Sequence, residues 1–222
     1  MLRQILTKIH QVASAQKRNF KATVAQIIPQ SETRKLGTIL RKILGRSHGK
    51  RWQDKQNFLA EWNDRTERIA QLIQVGTSVI EFGAGKLLLK DLLPQGCSYT
   101  PSDLFDRGYG TIVCDLNGKS LPSFPSYDVA VFSGVLEYIY DVPRLILHLS
   151  NYVDTIIASY AILERNENRR VYGWVNDFSA AEFIEIFENS GFSCDFSEPW
   201  NAQMIYQFTV NKKDKTLDVV GA

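Results

Sequence analysis

Cysteine is scarce in this chain of 222 residues: only Cys97, Cys114 and Cys194 occur, far apart and with no C-x-x-C pair. That argues against a disulfide framework and a cysteine zinc site, and it fits a reducing compartment such as the cytoplasm. A run of about 18 apolar residues is missing too, which excludes a transmembrane helix. The start lacks the continuous apolar core of a secretory signal, and no RNA-binding module signature is present. Acid is what the first sixty residues lack. They hold 13 Lys or Arg and only Glu32 and Asp54, giving +11, while residues 61–222 carry −9. The net charge of +2 hides this asymmetry. A basic segment on an acidic body is a candidate contact surface for anions.

What is present is ordinary for a globular protein: 44% hydrophobic and 23% charged residues. The length suits one α/β domain with an appendage. Leu2, Ile5, Ile9 and Val12 have helical spacing, and Pro29 ends that stretch. Gly37, Gly45 and Gly49 interrupt the next twenty residues, so RKILGRSHGKR is read as a flexible connection. We read residues 1–50 as an attached basic helical arm rather than an organellar presequence, with His10 and His48 solvated. Residues 51–222 form the main domain. At its start Phe58, Leu59, Trp62, Ile69, Leu72 and Ile73 predict a helix over 52–74 that packs on the sheet domain, as a lid.

From residue 77 the pattern changes. TSVIEF, SYTPSD, TIVCD, YDVAVFS and DTIIASY are short β-rich runs, and KLLLKDLL and DVPRLILHLS are helical stretches between them. Asp141 is a candidate N-cap, with Pro143 in the first turn. Strands alternating with helices imply right-handed crossovers and a mostly parallel sheet with helices on both faces. FSAAEFIEIFENSG carries a capping box, Ser179 with Glu182, and stops at Gly191. FSCDF and QMIYQFTV come next with only a loop between them, which predicts an antiparallel C-terminal strand pair at the sheet edge.

In such a sheet, ligands bind at the C-terminal strand ends. The first strand ends in Glu81-Phe82-Gly83-Ala84-Gly85, where glycines permit a tight turn and close approach of a ligand to the main chain. A helix beginning near Lys86 would present free N–H groups there. Asp103 ends the second strand and suits the hydroxyls of a ribose. A nicotinamide fingerprint needs a small residue three positions after the second glycine, and Leu88 stands there instead. That weakens an NAD-dependent reductase reading.

These residues resemble the class I S-adenosylmethionine (SAM)-dependent methyltransferases. SVIEFGAG is similar to the family's first motif, Asp103 to its ribose acid, and Cys114-Asp115-Leu116-Asn117 to its adenine-contacting third-strand motif. YDVAVFSGVLEYIYDVP resembles its fourth-strand region. NDFSAAEFIEIFENSGF resembles the helix that precedes the last two strands in small-molecule methyltransferases. The resemblance spans about residues 75–210. It implies a Rossmann-like seven-stranded α/β fold with S-adenosyl-L-methionine as cofactor. It places that cofactor on Glu81, Phe82, Gly83, Ala84, Gly85, Asp103, Asp115, Leu116 and Ser133. Two departures stand out: Leu87 replaces a frequent third glycine, and Tyr138 replaces a frequent histidine.

Each residue also has a plainer role open to it. Glu81 suits capping of backbone N–H groups, Asp103 a turn, and Asp115 an Asx-turn with Asn117-Gly118. His148 suits packing. Tyr160, Tyr172 and Trp174 suit either an acceptor pocket or the core. Tyr138, Tyr160, Glu164 and Tyr172 are candidate bases, and none is chosen. No metal ligands cluster, so methyl transfer is expected to need no metal. The acceptor is expected to be a small molecule or glycan precursor. The arm's anionic partner would be a phosphorylated substrate, RNA or a membrane surface. A non-catalytic scaffold using the same fold is the competing class.

Overall fold

The computed structural model describes residues 29–211. The helical spacing at Leu2–Val12, and His10, lie outside the described residues. Helix α1 (Gln30–Ile43) and the short α2 (Gly49–Gln53) lead into two single 3-10 turns, Lys55–Asn57 and Ala60–Trp62, and then α3 (Asn63–Gln71). The expected helix over 52–74 is therefore broken. Asp54 takes an extended backbone and its Oδ1 accepts from the Gln56 N–H, a local bond that competes with the helical ladder. Leu59 is extended as well.

The rest alternates as β1 (Ser78–Phe82), α4 (Leu88–Leu92), β2 (Ser98–Asp103), β3 (Ile112–Val113), β4 (Tyr127–Ser133), α5 (Val142–Leu149), β5 (Val153–Tyr160), α6 (Arg169–Tyr172), α7 (Ala180–Glu188), β6 (Phe192–Trp200) and β7 (Gln203–Val210). The seven strands form one sheet in the order β3-β2-β1-β4-β5-β7-β6. All pairs from β3 to β5 are parallel, and β7 runs antiparallel to both β5 and β6. This is the expected Rossmann-like architecture. TIVCD contributes less than expected, because only Ile112 and Val113 pair with β2.

Side chains along a strand alternate between two cores. On β4, Ala130 and Phe132 enter the core under α5 and α7, while Val129 and Val131 enter the core under α3 and α4. The first core holds an aromatic stack: Tyr160 lies 4.3 Å from Phe183, and Phe187 lies 3.7 Å from Phe208, both nearly parallel. Such pairs add about 0.5–1.5 kcal/mol each beyond their buried area. Asp141 caps α5 by accepting from the Arg144 N–H, and Ser179 with Glu182 forms the predicted capping box on α7. Both helices are thereby fixed where their apolar faces meet the sheet.

Two features position a site. The chain leaves β1 toward β2 on one side and returns to β4 on the other, which opens a crevice at the C-terminal ends of β1 and β4. The N-terminal segment then folds over that crevice. Thr38 Oγ1 donates to Arg170 O at 2.9 Å, Tyr140 Oη donates to Arg46 O at 2.5 Å, and an Arg51 N–H donates to Tyr172 O at 2.6 Å. Residues 41–51, expected as a flexible connection, are thus tied to the domain by hydrogen bonds. Among the described residues no helix is long and apolar enough to cross a membrane.

Candidate functional site

The crevice is a cavity of about 580 Å³ at the strand ends, within the ordinary size range of small-molecule sites. Its floor is the glycine turn after β1. Gly83 and Gly85 have φ +72° and +53°, left-handed backbone that L side chains adopt at a cost. A Cβ on Gly83 would come within 2.5 Å of Val135 Cγ2, and one on Gly85 within 2.9 Å of the Phe58 ring. Leu87, the position where a third glycine was the familiar choice, is also left-handed, at φ +64°. The backbone keeps its shape there against a side-chain penalty of about 1–2 kcal/mol. Helix α4 begins only at Leu88 and has five residues, so the expected run of free N–H groups from Lys86 is shorter than anticipated. Lys86 Nζ instead donates to Phe58 O at 2.8 Å.

Asp103 anchors this turn. Its Oδ2 accepts from the Gly85 N–H at 3.0 Å, and its Oδ1 accepts from the Phe105 N–H and from Arg107. Arg107 and Asp103 form a buried ion pair at 3.0 Å. Arg107 also donates to Trp52 O, and its guanidinium lies over the Phe58 ring. One acceptor position of Oδ2 is left without a partner among the described residues, and Asp103 lines the cavity. Glu81 is buried beside it. Its Oε2 accepts from Tyr99 Oη at 2.5 Å. Burial, which outweighs this bond, pushes its pKa up to about 8, so its carboxyl is largely protonated at neutral pH.

The other expected residues separate cleanly. Ala84, Leu116 and Ser133 line the cavity. Asp115 lines it as well, while making the plainer Asx-turn: its Oδ1 accepts from the Asn117 N–H and from Ser47 Oγ. Phe82 does not line it. Its ring points to the opposite sheet face, stacked 4.9 Å from Phe132, because neighbouring strand residues alternate. Among the candidate bases, Tyr138 and Tyr172 line the cavity and Tyr160 and Glu164 do not. Tyr160 is a core residue whose hydroxyl bonds Asn176 and Arg169. Glu164 accepts from the Ala180 N–H at the start of α7. Trp174 lines the cavity and donates to Tyr138 Oη. His148 bonds Pro122 O and packs on Tyr152, as expected.

Several lining residues escaped the sequence reading. Arg65 of α3 is buried at the end of β4, donating to Ser133 Oγ, Ser133 O and Gln203 Oε1. Its guanidinium lies between Trp62 and Trp200, with no carboxylate in ion-pair contact among the described residues. Burial lowers its pKa, and the more distant Glu137 acts against that shift. His48, expected to be solvated, lines the cavity with Nδ1 buried and without a partner. Burial, then the charges of Arg41 and Arg51, pull its pKa down to about 4. No group of three metal-ligating side chains comes together among the described residues.

A sequence model of the family described as "Methyltransferase domain" matches residues 51–195. The chain belongs to that family. No curated protein sequence matches it. Solved structures share the fold of this methyltransferase at low identity. Mitomycin 7-O-methyltransferase MmcR aligns with a TM-score of 0.60 at 14% identity, covering 84% of this chain and 70% of that one. The Burkholderia thailandensis 1,6-didemethyltoxoflavin-N1-methyltransferase, solved with its substrate and S-adenosylhomocysteine, aligns at 0.55 and 15%, covering 79% and 88%. The pyocyanin biosynthetic protein PhzM aligns at 0.53 and 11%. There the match spans 66% of this chain and about half, 54%, of that one.

Proposed function

We propose that this methyltransferase moves the methyl group of S-adenosylmethionine onto a small-molecule or glycan-precursor acceptor. One observation carries this reading: a left-handed glycine turn, bonded through Gly85 to Asp103, forms the floor of a closed-over cavity at the β1/β4 crevice. The residues present fit the cofactor. Gly83 and Gly85 hold the tight left-handed turn that lets a ligand approach the main chain, and Asp103 keeps a free acceptor position for a ribose hydroxyl. Leu116 supplies an apolar surface for the adenine, with Asp115 beside it, and Ser133 stands at the end of β4. Arg65 adds a buried cation with no carboxylate in ion-pair contact among the described residues, suited to the amino-acid carboxylate. Glu81 shapes the floor between them. The toxoflavin enzyme and MmcR are named for small acceptors, which accords with the same class here.

When bound, the cofactor supplies an activated methyl on a cationic sulfur, so the chain's own contribution is orientation and exclusion of water. Trp52, Phe58 and Trp62 of the overlying segment close the cavity above the glycine turn. We further propose that residues 1–50 serve the acceptor while residues 51–222 form the methyltransferase domain. No base is assigned. Tyr138 is held protonated, because burial raises its pKa, so it suits hydrogen bonding to the acceptor rather than proton removal. The test is a metabolite screen with tritiated S-adenosylmethionine, following both S-adenosylhomocysteine release and label transfer. Label appearing in one acceptor class supports the reading. Cofactor binding with no transfer to any acceptor would favour a scaffold role.

A further inference from the structure

The cavity has two chemically different ends. The strand-end floor presents Glu81 and Asp103, already bonded to Tyr99, Gly85 and Arg107. The wall contributed by the N-terminal segment presents Arg41, His48 and Arg51, with Glu61 its one acid among the described residues. Neither arginine has a carboxylate in ion-pair contact among the described residues. Each guanidinium carries five N–H donors. Arg41 spends one on Thr38 Oγ1, and Arg51 spends one on Tyr172 O. His48 Nδ1 is buried and bonded to nothing. Two further acids line the cavity: Asp115, whose Oδ1 is committed to Ser47 and Asn117, and Glu61, which is in ion-pair contact with neither arginine. Two cations and an unpartnered imidazole thus face one space with many donors and few acceptors. Leaving such groups unmatched inside a cavity is costly, and an ionised ligand rich in lone pairs corrects it. Arg51 also lies 4.7 Å over the Trp52 ring, and Trp52 meets Tyr138 edge-on at 5.0 Å. The cationic end therefore continues into flat apolar walls.

Resting on the methyltransferase reading, we infer that the acceptor is an anion, whose carboxylate or phosphate is clasped by Arg41, Arg51 and His48 with its ring or sugar body against Trp52 and Tyr138. Burial is the main cause of the low His48 pKa of about 4, and the charges of Arg41 and Arg51 add to it. An anion that neutralises the two arginines removes that second part, so binding raises the imidazole pKa; Glu61, Asp115, Tyr138 and Tyr140 are among the other titratable groups lining the cavity.

The experiment uses the full chain saturated with S-adenosylhomocysteine and four probes: benzoate, phenyl phosphate, benzamide and benzyl alcohol. Affinities come from ligand-observed NMR. At least one anion should bind about tenfold or more tighter than its neutral counterpart, equivalent to about 1.4 kcal/mol. Benzoate winning over phenyl phosphate identifies a carboxylate, and the reverse identifies a phosphate. Arg41→Met and Arg51→Met should each remove most of that preference while S-adenosylhomocysteine affinity stays within about threefold. Arg51→Lys, which keeps the charge but loses the planar fork, should retain part of it and guards against a folding defect in Arg51→Met. The His48 C2-proton titration should move to higher pH with the winning anion. Equal binding of neutral and anionic probes, or an anion preference that survives both methionine variants, would overturn the inference. Failure of the wild-type chain to take up S-adenosylhomocysteine would sink the methyltransferase reading instead, and the probe comparison would still decide the anion site.

Discussion

The floor and the wall of the cavity are built by different rules. The floor uses main chain and neighbours close in sequence: Gly85 and Asp103, at the ends of two adjacent strands, lie 18 residues apart. The wall uses side chains that reach across 121 or 132 residues, from Arg51 to Tyr172 and from Thr38 to Arg170. A backbone turn that cradles a ligand tolerates few residue types, so it leaves a motif. A wall that shapes one particular acceptor tolerates many, so it leaves none. On the proposed reading, the floor carries the chemistry shared with the family and the N-terminal segment the choice of acceptor.

Gly83→Val breaks the floor most completely. It adds a branched side chain to a φ of +72° and drives it into Val135. Calorimetry should show no S-adenosylhomocysteine binding, with a folded circular dichroism spectrum. Asp103→Ala comes next and acts on stability as well as binding. It strands the buried guanidinium of Arg107, whose side chain is 2% exposed, and removing one partner of such a pair costs about 3–5 kcal/mol. Urea denaturation would measure it. A loss near zero would mean that Arg107 swings out to solvent and that floor and wall are not joined through it.

These two sites also show what could be read from the sequence. The seven strands, the capping box at Ser179 and Glu182, and the Asp141 cap were legible because period-2 patterns and cap residues act over a few positions. Asp103 was legible for the same reason, although its partner Arg107 was not. The helix expected over 52–74 was misread because its apolar residues do have helical spacing. Asp54 and Leu59 break the helix, and Trp52, Phe58 and Trp62 all line the cavity, Trp62 while also packing on the core under α3 and α4. Arg65 and His48 left no signal, since a basic residue in a basic segment is ordinarily solvated. Only the fold brings Ser133 and Gln203 to Arg65. Phe82 was assigned with its motif neighbours, although alternation along β1 turns it to the opposite core.

Arg65 is the one wall residue assigned to the cofactor, so it tests where wall and floor divide. Arg65→Met keeps the apolar stem between Trp62 and Trp200 but removes the charge. It should weaken S-adenosylhomocysteine by about 1.5–3 kcal/mol, the worth of a hydrogen bond to a charged group, whereas Arg41→Met should leave that affinity within about threefold. Equal effects of the two would erase the division. Glu81→Gln is subtler and concerns pH. A carboxyl whose folded pKa is about 8 against 4.5 in the free state binds a proton more readily when folded. Its contribution to stability is complete below about pH 4.5, erodes above that, and is gone above about 8. The ligand-free wild type should therefore lose stability relative to Glu81→Gln as pH rises across this window. Parallel thermal-unfolding profiles would show that Glu81 is solvated.

The most direct measurement is titration of S-adenosylhomocysteine into the full wild-type chain by calorimetry. The expected result is saturable binding of one molecule per chain, abolished by Gly83→Val and preserved in Arg41→Met. Absence of binding to the wild type, or unchanged binding by Gly83→Val, would contradict the assignment of the floor to the cofactor.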